Sequence, residues 1–492
     1  MTMKKIGLGF LSIGIIGIAS SLIVDLLPGG RAGIQSAQIL GIEVSILILL
    51  IGVWATLAAT DEKFDVRAQI RNIIDQVINQ PVLTWVLIGF FIAYILFFIS
   101  PMFLNSNLRM TYFNRYIPDK FPIGNDLIVV VDLAREWFAT GQSPYIVQFY
   151  PPFTYVFFAP LLLVDSYSVL FKFFTLFSLL NYCLLTLVLP IKIIDRKHIP
   201  LILLLFVTGL SSYGFQFELE RGQYNVFTFL LCLWSIYIFH YHPRYRIFAY
   251  LLFSVSIQLK IYPAIFIVML VDNWKDWKGI LLRFAGIAVF NILLLFIMGY
   301  QIFLDFLRSV SNQVATPGWT WNGNHSLKAF VFNLTKDGFR IIGSDTLEML
   351  RQNSGLIETL LFLMFAVLFV SAVLISYKRN KAGVDPYLLI ACMIGALIIP
   401  ISNDYTLSIV TATVALVLGS IPEPRNVSQR LISILMILGI SFSYASMLIP
   451  FKYKPYYLNN AFPPLFLILV FATVLNLMRY KSVEAEAPSI DT

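Results

Sequence analysis

The chain has 492 residues, of which 58% are hydrophobic and only 13% are charged. Soluble domains carry about 25% charged residues, so this composition excludes an ordinary soluble protein and predicts an all-α polytopic membrane protein. The formal net charge is +8. We attribute it to basic loops that face anionic lipid, and because no RNA-type aromatic motif accompanies them we predict membrane lipids, and no nucleic acid, as partners.

Long apolar segments recur along the chain, and each approaches the ~20 residues needed to cross a bilayer. We predict about twelve spans, at roughly 6–27, 39–59, 82–103, 167–191, 199–216, 225–241, 284–301, 356–377, 386–402, 405–421, 431–450 and 461–478. The segment 247–272 differs because Lys260 and Pro263 stand in its middle. We predict that it forms two re-entrant half-helices, since irregular backbone at membrane depth must be buried in protein or line a cavity.

The distribution of basic residues predicts which loops face the cytoplasm. Lys and Arg crowd alternate short loops, including KRNK at 378–381, so both termini are expected inside and the two long loops outside. The resulting regions are two extra N-terminal spans with a cytoplasmic amphipathic helix (1–81), a core (82–301) with a first outer loop (104–166), a second outer loop (302–355), C-terminal spans (356–480) and a disordered tail (481–492).

The first outer loop contains GNDLIVVVDLAREW, residues 124–137. Its apolar residues recur at helical spacing and predict an amphipathic helix over 125–138 on the membrane surface. Asp132 falls on the polar face, where Arg135 is its expected partner. Asp126 stands at the helix start, about 120° around the helical wheel from Asp132. Either an N-cap or a catalytic base fits Asp126, and the residues alone leave both open.

Two further segments place charged groups close to the bilayer. In ELERGQYN (218–225), Arg221 either pairs with Glu218 or Glu220, or binds an anionic ligand together with Gln223 and Asn225.

Lys260 lies between the two predicted half-helices. It either extends its ammonium to the interface or holds the phosphate of a lipid-linked substrate.

The second outer loop contains WTWNGNHS, residues 319–326. Tryptophans stack on sugar faces and asparagines bond hydroxyls, so this group suits a carbohydrate; its members are Trp319, Trp321, Asn322 and Asn324. His325 has no second histidine at metal-ligand spacing, so we predict no metal site. Asp404, in PISNDYTL (400–407), is either a helix cap or a functional acid.

In chain order, an Asp-bearing outer helix, G-x-x-P-Y (141–145), YPP (150–152), RGQYN (221–225), K-x-x-P (260–263) and a loop with Asn and His resemble glycosyltransferase family 87. The resemblance covers roughly 82–420. It implies the C-type membrane glycosyltransferase fold and the transfer of a sugar, mannose in this family, from a polyprenyl-phosphate donor to a lipid or glycan hydroxyl. It also implies inversion at the anomeric carbon.

The resemblance implies roles for individual residues. Asp126 becomes the general base on the acceptor hydroxyl. The donor phosphate is expected to bind Arg221, Lys260, Gln223 and His325. The sugar or the acceptor is expected to bind Tyr150, Asn225, Trp319, Trp321, Asn322 and Asn324.

The same resemblance implies no cofactor besides the lipid-linked donor. We expect a monomer in the plasma membrane, if the source is bacterial, with its active site on the outer face. The alternative is a transporter or flippase of a lipid-linked sugar. One outward cavity lined by Asp126, Arg221, Lys260 and His325 favours the transferase, whereas dispersed positions favour the transporter.

Overall fold

The computed structural model describes residues 3–24, 36–58, 81–96, 123–145, 149–315, 324–337, 343–380, 383–399, 402–421, 424, 427–448 and 463–485. Within these ranges the chain is helical, and the only β-type pairing is an isolated bridge between Asn324 and Asn403. The predicted all-α class is confirmed for this part of the chain. The predicted cytoplasmic helix (61–80) lies outside the described residues, as do Trp319, Trp321 and Asn322.

The α-helices that the argument uses are numbered in chain order: α1 (Met3–Ile23), α2 (Ser36–Ala58), α3 (Pro81–Tyr94), α4 (Asn125–Thr140), α5 (Pro152–Phe157), α6 (Tyr167–Cys183), α7 (Ile199–Leu210), α8 (Tyr213–Arg221), α9 (Asn225–Tyr241), α10 (Arg246–Leu259), α11 (Trp277–Leu295), α12 (Tyr300–Ala315), α13 (Leu327–Asp337), α14 (Ser344–Gln352), α15 (Ser354–Arg379), α16 (Pro386–Ile398), α17 (Val410–Leu418), α18 (Val427–Leu448) and α19 (Pro463–Ala485). Because α19 ends at Ala485, residues 481–485 of the predicted tail are helical.

Among the described residues, six helices are long and apolar enough to cross a membrane, and the bent pair α7–α8 would make a seventh. The protein is therefore a membrane helical protein. Twelve full-length spans stay a prediction, because several predicted spans coincide with shorter apolar helices such as α9 and α16.

A bend of 50° separates α7 from α8. Ser212 lies in the bend and caps α8, since its hydroxyl accepts the backbone N–H of Phe215 at 3.3 Å. The Gln216 amide donates to the backbone oxygen of Leu210 at 3.0 Å and so satisfies a carbonyl at the end of α7. The bend gives α8 a direction of its own, and α8 carries Arg221 at its far end.

A second interruption falls at Lys260, where the sequence predicts one. Helix α10 ends at Leu259, and Lys260 has an extended backbone with φ −147° and ψ 138°. The chain continues as a 3₁₀ helix (Tyr262–Met269) rather than an α-helix. Pro263 lies in the first turn of this segment. Proline is tolerated there because the backbone N–H that it lacks would have no partner within the helix.

The predicted surface helix is present as α4. Its buried residues are Leu127, Val130, Val131 and Ala134. Helical spacing predicts Phe138 on the same face, but it is 51% exposed, so the buried face of α4 ends before it. Asp132 pairs with Arg135 at 2.8 Å, as predicted, and also accepts a hydrogen bond from the Tyr167 hydroxyl.

Candidate active site

Two glycines bring the start of α4 against the end of α8. Gly124 and Gly222 both adopt left-handed backbone conformations, with φ +75° and +66°. The Gly124 N–H donates to the backbone oxygen of Glu220 at 2.7 Å. A Cβ on Gly222 would lie 2.8 Å from the Leu127 Cβ and 3.3 Å from the Gly124 Cα. Only glycine meets both the conformation and the close approach, so this glycine junction fixes which side chains can meet across it.

Asp126 faces the end of α8 across this junction. Its Oδ1 accepts from Arg221 Nη2 at 2.6 Å, and its Oδ2 accepts from Gln223 Nε2 at 2.5 Å. The residue that caps α4 is Gly124, without a side-chain cap bond. The N-cap alternative for Asp126 is therefore wrong, because the cap lies two residues earlier, at Gly124, and the Asp126 carboxylate binds Arg221 and Gln223 instead.

The alternative in which Arg221 pairs with Glu218 or Glu220 is also wrong. Its carboxylate partner is Asp126, which comes from another helix. Glu218 is fully buried and accepts the backbone N–H of Val226 at 2.8 Å, where it helps start α9. Glu220 is buried as well, and its backbone carbonyl holds the glycine junction.

Gln223 connects the carboxylate to an ammonium. Its side chain is 1% exposed, and its Nε2 donates both to Asp126 and to the Tyr150 hydroxyl, the latter at 3.1 Å. Its Oε1 accepts from Lys260 Nζ at 2.8 Å. With the amide nitrogen facing the carboxylate and the amide oxygen facing the ammonium, both ends of Gln223 meet complementary charges.

Three tyrosine rings surround Lys260. Its Nζ lies 4.5 Å from the ring centre of Tyr150, 4.7 Å from that of Tyr224 and 5.5 Å from that of Tyr405. Such contacts favour a cation without neutralising it. Among the described residues, no carboxylate lies within ion-pair distance of this ammonium. The side chain turns toward these groups of the protein, and the position of the ammonium relative to the interface stays a prediction.

Tyr150 is buried and bonds both Gln223 and Lys260, the latter at 3.5 Å. Burial, together with the nearby charge of Asp126, raises the pKa of the Tyr150 phenol. The hydroxyl therefore stays protonated and able to donate. Tyr155 is fully buried as well.

A cavity of about 380 Å³ opens beside Lys260. Its polar lining also includes Asn225, Tyr150 and Tyr405. The rest of the wall is mainly apolar, with Phe149, Ile265, Val310, Gly395 and Ile399. Sites of this size usually combine an apolar wall with a few polar groups that orient the ligand. This cavity therefore suits an amphiphile with an anionic group near Lys260.

His325 pairs with Asp404 at 2.9 Å, and both side chains are almost fully buried. Asp404 also accepts from the Tyr213 hydroxyl at 3.3 Å, while Asn403 is the residue that precedes the local 3₁₀ helix. The cap alternative for Asp404 is therefore wrong. The pair adjoins the Lys260 site through the chain, because Tyr405 directly follows Asp404.

The expected sugar ligand Asn324 is fully buried. Its Oδ1 accepts the backbone N–H groups of Ser326 and Ser402 at 3.0 and 3.1 Å. The backbone N–H of His325 donates to the backbone carbonyl of Ser402 at 2.6 Å. Asn324 thus joins the second outer loop to the segment that carries Asp404.

A family model for glycosyltransferase family 87 matches residues 149–401. The chain belongs to glycosyltransferase family 87. No curated protein and no solved structure matches it. This family 87 protein is accordingly a glycosyltransferase in the membrane. The matched region contains Arg221, Gln223 and Lys260 but starts after Asp126, so Asp126 enters the site on geometry and on the motif order.

Sequence analysis of this glycosyltransferase missed two aromatic residues of its site, Tyr224 and Tyr405. Both were visible in quoted motifs, since Tyr224 lies in RGQYN and Tyr405 in PISNDYTL. Neither type nor spacing distinguishes them from ordinary core tyrosines. Across the described ranges, no group of three or more His, Cys, Asp or Glu side chains is placed to hold a metal ion.

Proposed function

We propose that this family 87 glycosyltransferase moves a sugar, with mannose as the first candidate, from a polyprenyl-phosphate donor to a hydroxyl of a lipid or glycan acceptor. One observation carries the proposal: Lys260 lines an apolar cavity and is connected through Gln223 to Asp126. A polyprenyl-phosphate sugar presents an apolar chain, an anionic phosphate and a sugar in the same order.

Lys260 is our candidate for holding the donor phosphate. Its ammonium has no direct carboxylate partner among the described residues, and the cavity beside it buries apolar surface favourably. When the sugar–phosphate bond breaks, the phosphate leaves with the bonding electron pair. A cation already in place stabilises this developing charge without reorganisation. Arg221 adds a second cation on the Asp126 side.

Asp126 is our candidate for the general base. It takes the proton of the acceptor hydroxyl while the hydroxyl oxygen attacks the anomeric carbon from the side opposite the phosphate, which inverts the configuration. Each carboxylate oxygen accepts one hydrogen bond from the protein and keeps a second acceptor position. Arg221 and Gln223 thus orient the carboxylate and leave it able to reach a hydroxyl at about 3 Å.

We further propose that the reaction occurs on the outer face, with both termini in the cytoplasm and in the plasma membrane if the source is bacterial. No cofactor or metal is required beyond the lipid-linked donor, and the enzyme acts as a monomer. Of the four residues expected to line one cavity, only Lys260 lines it, and Asp126, Arg221 and His325 do not. The transporter alternative is disfavoured on a narrower ground, because Asp126, Arg221 and Lys260 belong to one connected set of side chains.

The test is transfer from synthetic polyprenyl-phosphate sugars by purified protein in lipid nanodiscs. Asp126→Asn should lower kcat by about 10²- to 10⁴-fold, the range that general base catalysis contributes. Asp132→Asn is the matched control because it changes an aspartate of the same helix that is bound to Arg135 and Tyr167. It should retain wild-type transfer. Undiminished transfer by Asp126→Asn would remove Asp126 as the base.

A further inference from the structure

Glu43 is the only ionisable residue of α2, whose other side chains are almost all apolar. It is 3% exposed and lies within a candidate membrane span. An acidic side chain in such a place is costly unless a partner satisfies it. Residue 43 also lies outside the region that defines the family, which begins at residue 149.

The partner of Glu43 is Gln216 of α8. The Gln216 Nε2 donates to Glu43 Oε1 at 2.5 Å and to the backbone oxygen of Leu210 at 3.0 Å. Leu210 is the last residue of α7, so one amide group spans the 50° bend between α7 and α8. One of its N–H groups closes the bend, and the other attaches the bend to α2.

The element that Glu43 holds is the one that carries Arg221. Gln216 and Arg221 belong to the same short helix, and at 1.5 Å per residue they are separated by only about 8 Å along its axis. Other side-chain contacts of α8 include the Tyr213 hydroxyl, which donates to Asp404, and Glu218, which accepts from the Ser408 hydroxyl. A shift of α8 therefore moves Arg221 relative to Asp126.

The helices α1 and α2 pack closely against each other, so Glu43 belongs to a two-helix unit. They pack at backbone distance, since a Cβ on Gly14 would lie 2.7 Å from the Leu49 Cβ and one on Gly52 would lie 2.6 Å from the Leu11 nitrogen. The Gln38 side chain also donates to the Ser21 backbone oxygen at 3.0 Å, which joins the two helices.

We propose that Glu43 is a positioning residue for sugar transfer. Through Gln216, the α1–α2 hairpin fixes the bend between α7 and α8 and so holds Arg221 in register with Asp126. The two extra N-terminal spans are then part of the catalytic framework. The activity readout of this inference rests on the proposed function.

The first test compares the size and the chemistry of the residue at position 43. Glu43→Leu removes the acceptor and should lower kcat by about 10-fold, because small displacements of a positioned group cost rate. The donor KM should change less than kcat, since the Lys260 site and its cavity are untouched and Arg221 acts mainly on the charge that develops as the phosphate leaves. Glu43→Gln keeps an acceptor oxygen at the same reach and should restore most of the rate. Val44→Ala, at a 48% exposed neighbour on the same helix, is the control and should match wild type.

The second test asks whether Glu43 and Gln216 act as one unit. Gln216→Leu also removes the bond to the Leu210 carbonyl, so it should lower kcat at least as much as Glu43→Leu, and the double variant should lose no more than Gln216→Leu alone. Multiplied losses in the double variant would overturn the proposal. Wild-type rates in Glu43→Leu, or equal losses in Glu43→Gln and Glu43→Leu, would do the same.

Thermal unfolding gives a readout that needs no substrate. It compares the wild type, Glu43→Leu, Gln216→Leu and the double variant. Coupled residues should lower Tm by less in the double variant than the sum of the two single losses. Additive losses would show that Glu43 does not hold α8, whatever the activity. If wild-type protein transfers no polyprenyl-phosphate sugar at all, the proposed function fails, while this unfolding cycle still decides the role of Glu43.

Discussion

The two ends of α10 carry basic side chains in opposite arrangements. At its start, Arg246 binds Asp272 at 2.6 Å, and Arg283 binds the other oxygen of the same carboxylate at 3.3 Å. Just beyond its last residue, Lys260 meets the Gln223 amide oxygen and aromatic rings. In the described part of the chain no carboxylate pairs with it directly. The first cluster is complete without a ligand, whereas the second leaves a positive charge for one.

Aromatic contacts do not explain this difference, because they occur at both ends. Arg246 and Arg283 lie over Phe239 at 4.7 and 4.9 Å, much as Lys260 lies over its tyrosines. What differs is the counter-ion. A ring favours a cation by a modest amount but leaves the charge in place, while a carboxylate neutralises it. A cation that has rings but no carboxylate, beside a cavity, is therefore the better candidate for binding an anionic substrate.

The strongest test of this comparison is Lys260→Met, which keeps most of the length of the side chain and removes its charge. We expect kcat/KM for the donor to fall by about 10²- to 10³-fold, as for other groups that stabilise developing charge. The acceptor KM should change little. Lys278→Met is the control, because Lys278 is exposed and lies over Trp277. Equal losses for donor and acceptor would indicate that Lys260 only supports the fold.

A smaller loss of transfer activity is expected when the glycine junction, which brings Asp126 close to Gln223 and Lys260, is altered. Gly222→Ala places a Cβ 2.8 Å from Leu127 in a left-handed conformation, so it should cost about 1–2 kcal/mol of strain and also separate α4 from α8. Transfer should fall by about 10-fold or more.

Gly141→Ala is the matched control for this substitution. Gly141 has φ +76° but no atom within 4 Å of an added Cβ. It should show the conformational cost in Tm and leave kcat unchanged. Equal kcat values for the two variants would mean that the glycine junction does not position the site.

The sequence predicted the contacts that are local along the chain. The pairing of Asp132 with Arg135 followed from helical spacing alone, since both residues lie on one turn. The partners of Asp126 could not be found in this way, because Arg221 and Gln223 are distant in sequence and meet it only through the glycine junction. The same limit explains why the sequence offered Glu218 and Glu220 as one alternative for the partner of Arg221.

The spans illustrate a second limit of sequence patterns. Hydropathy locates apolar runs, but it does not show where a run bends, and the bend between α7 and α8 depends on an amide bridge. Glu43 was missed for a related reason, since one acid barely alters the mean hydropathy of a long apolar segment. The role of Glu43 depends on its hydrogen bond with Gln216, and these two residues come together only in the folded chain.

The smallest expected effect comes from the complete cluster at the start of α10. Burial alone would raise the pKa of Asp272, but Arg246 and Arg283 outweigh it and lower that pKa below its usual value of 3.8. Between the lowered pKa and 3.8, the unfolded chain binds more protons at this residue than the folded one, so folding stability rises with pH. The contribution is fully present above about pH 4 and is lost as the pH falls through the folded pKa.

Asp272→Asn should therefore reduce Tm at pH 7 modestly, because the carboxylate is about a third exposed and partly screened. The gap to wild type should close as the pH falls below about 4. Transfer activity at pH 7 should stay within about twofold of wild type, in contrast to Lys260→Met. A loss of activity as large as that of Lys260→Met would mean that the two ends of α10 are not distinct in function, and the comparison would fail.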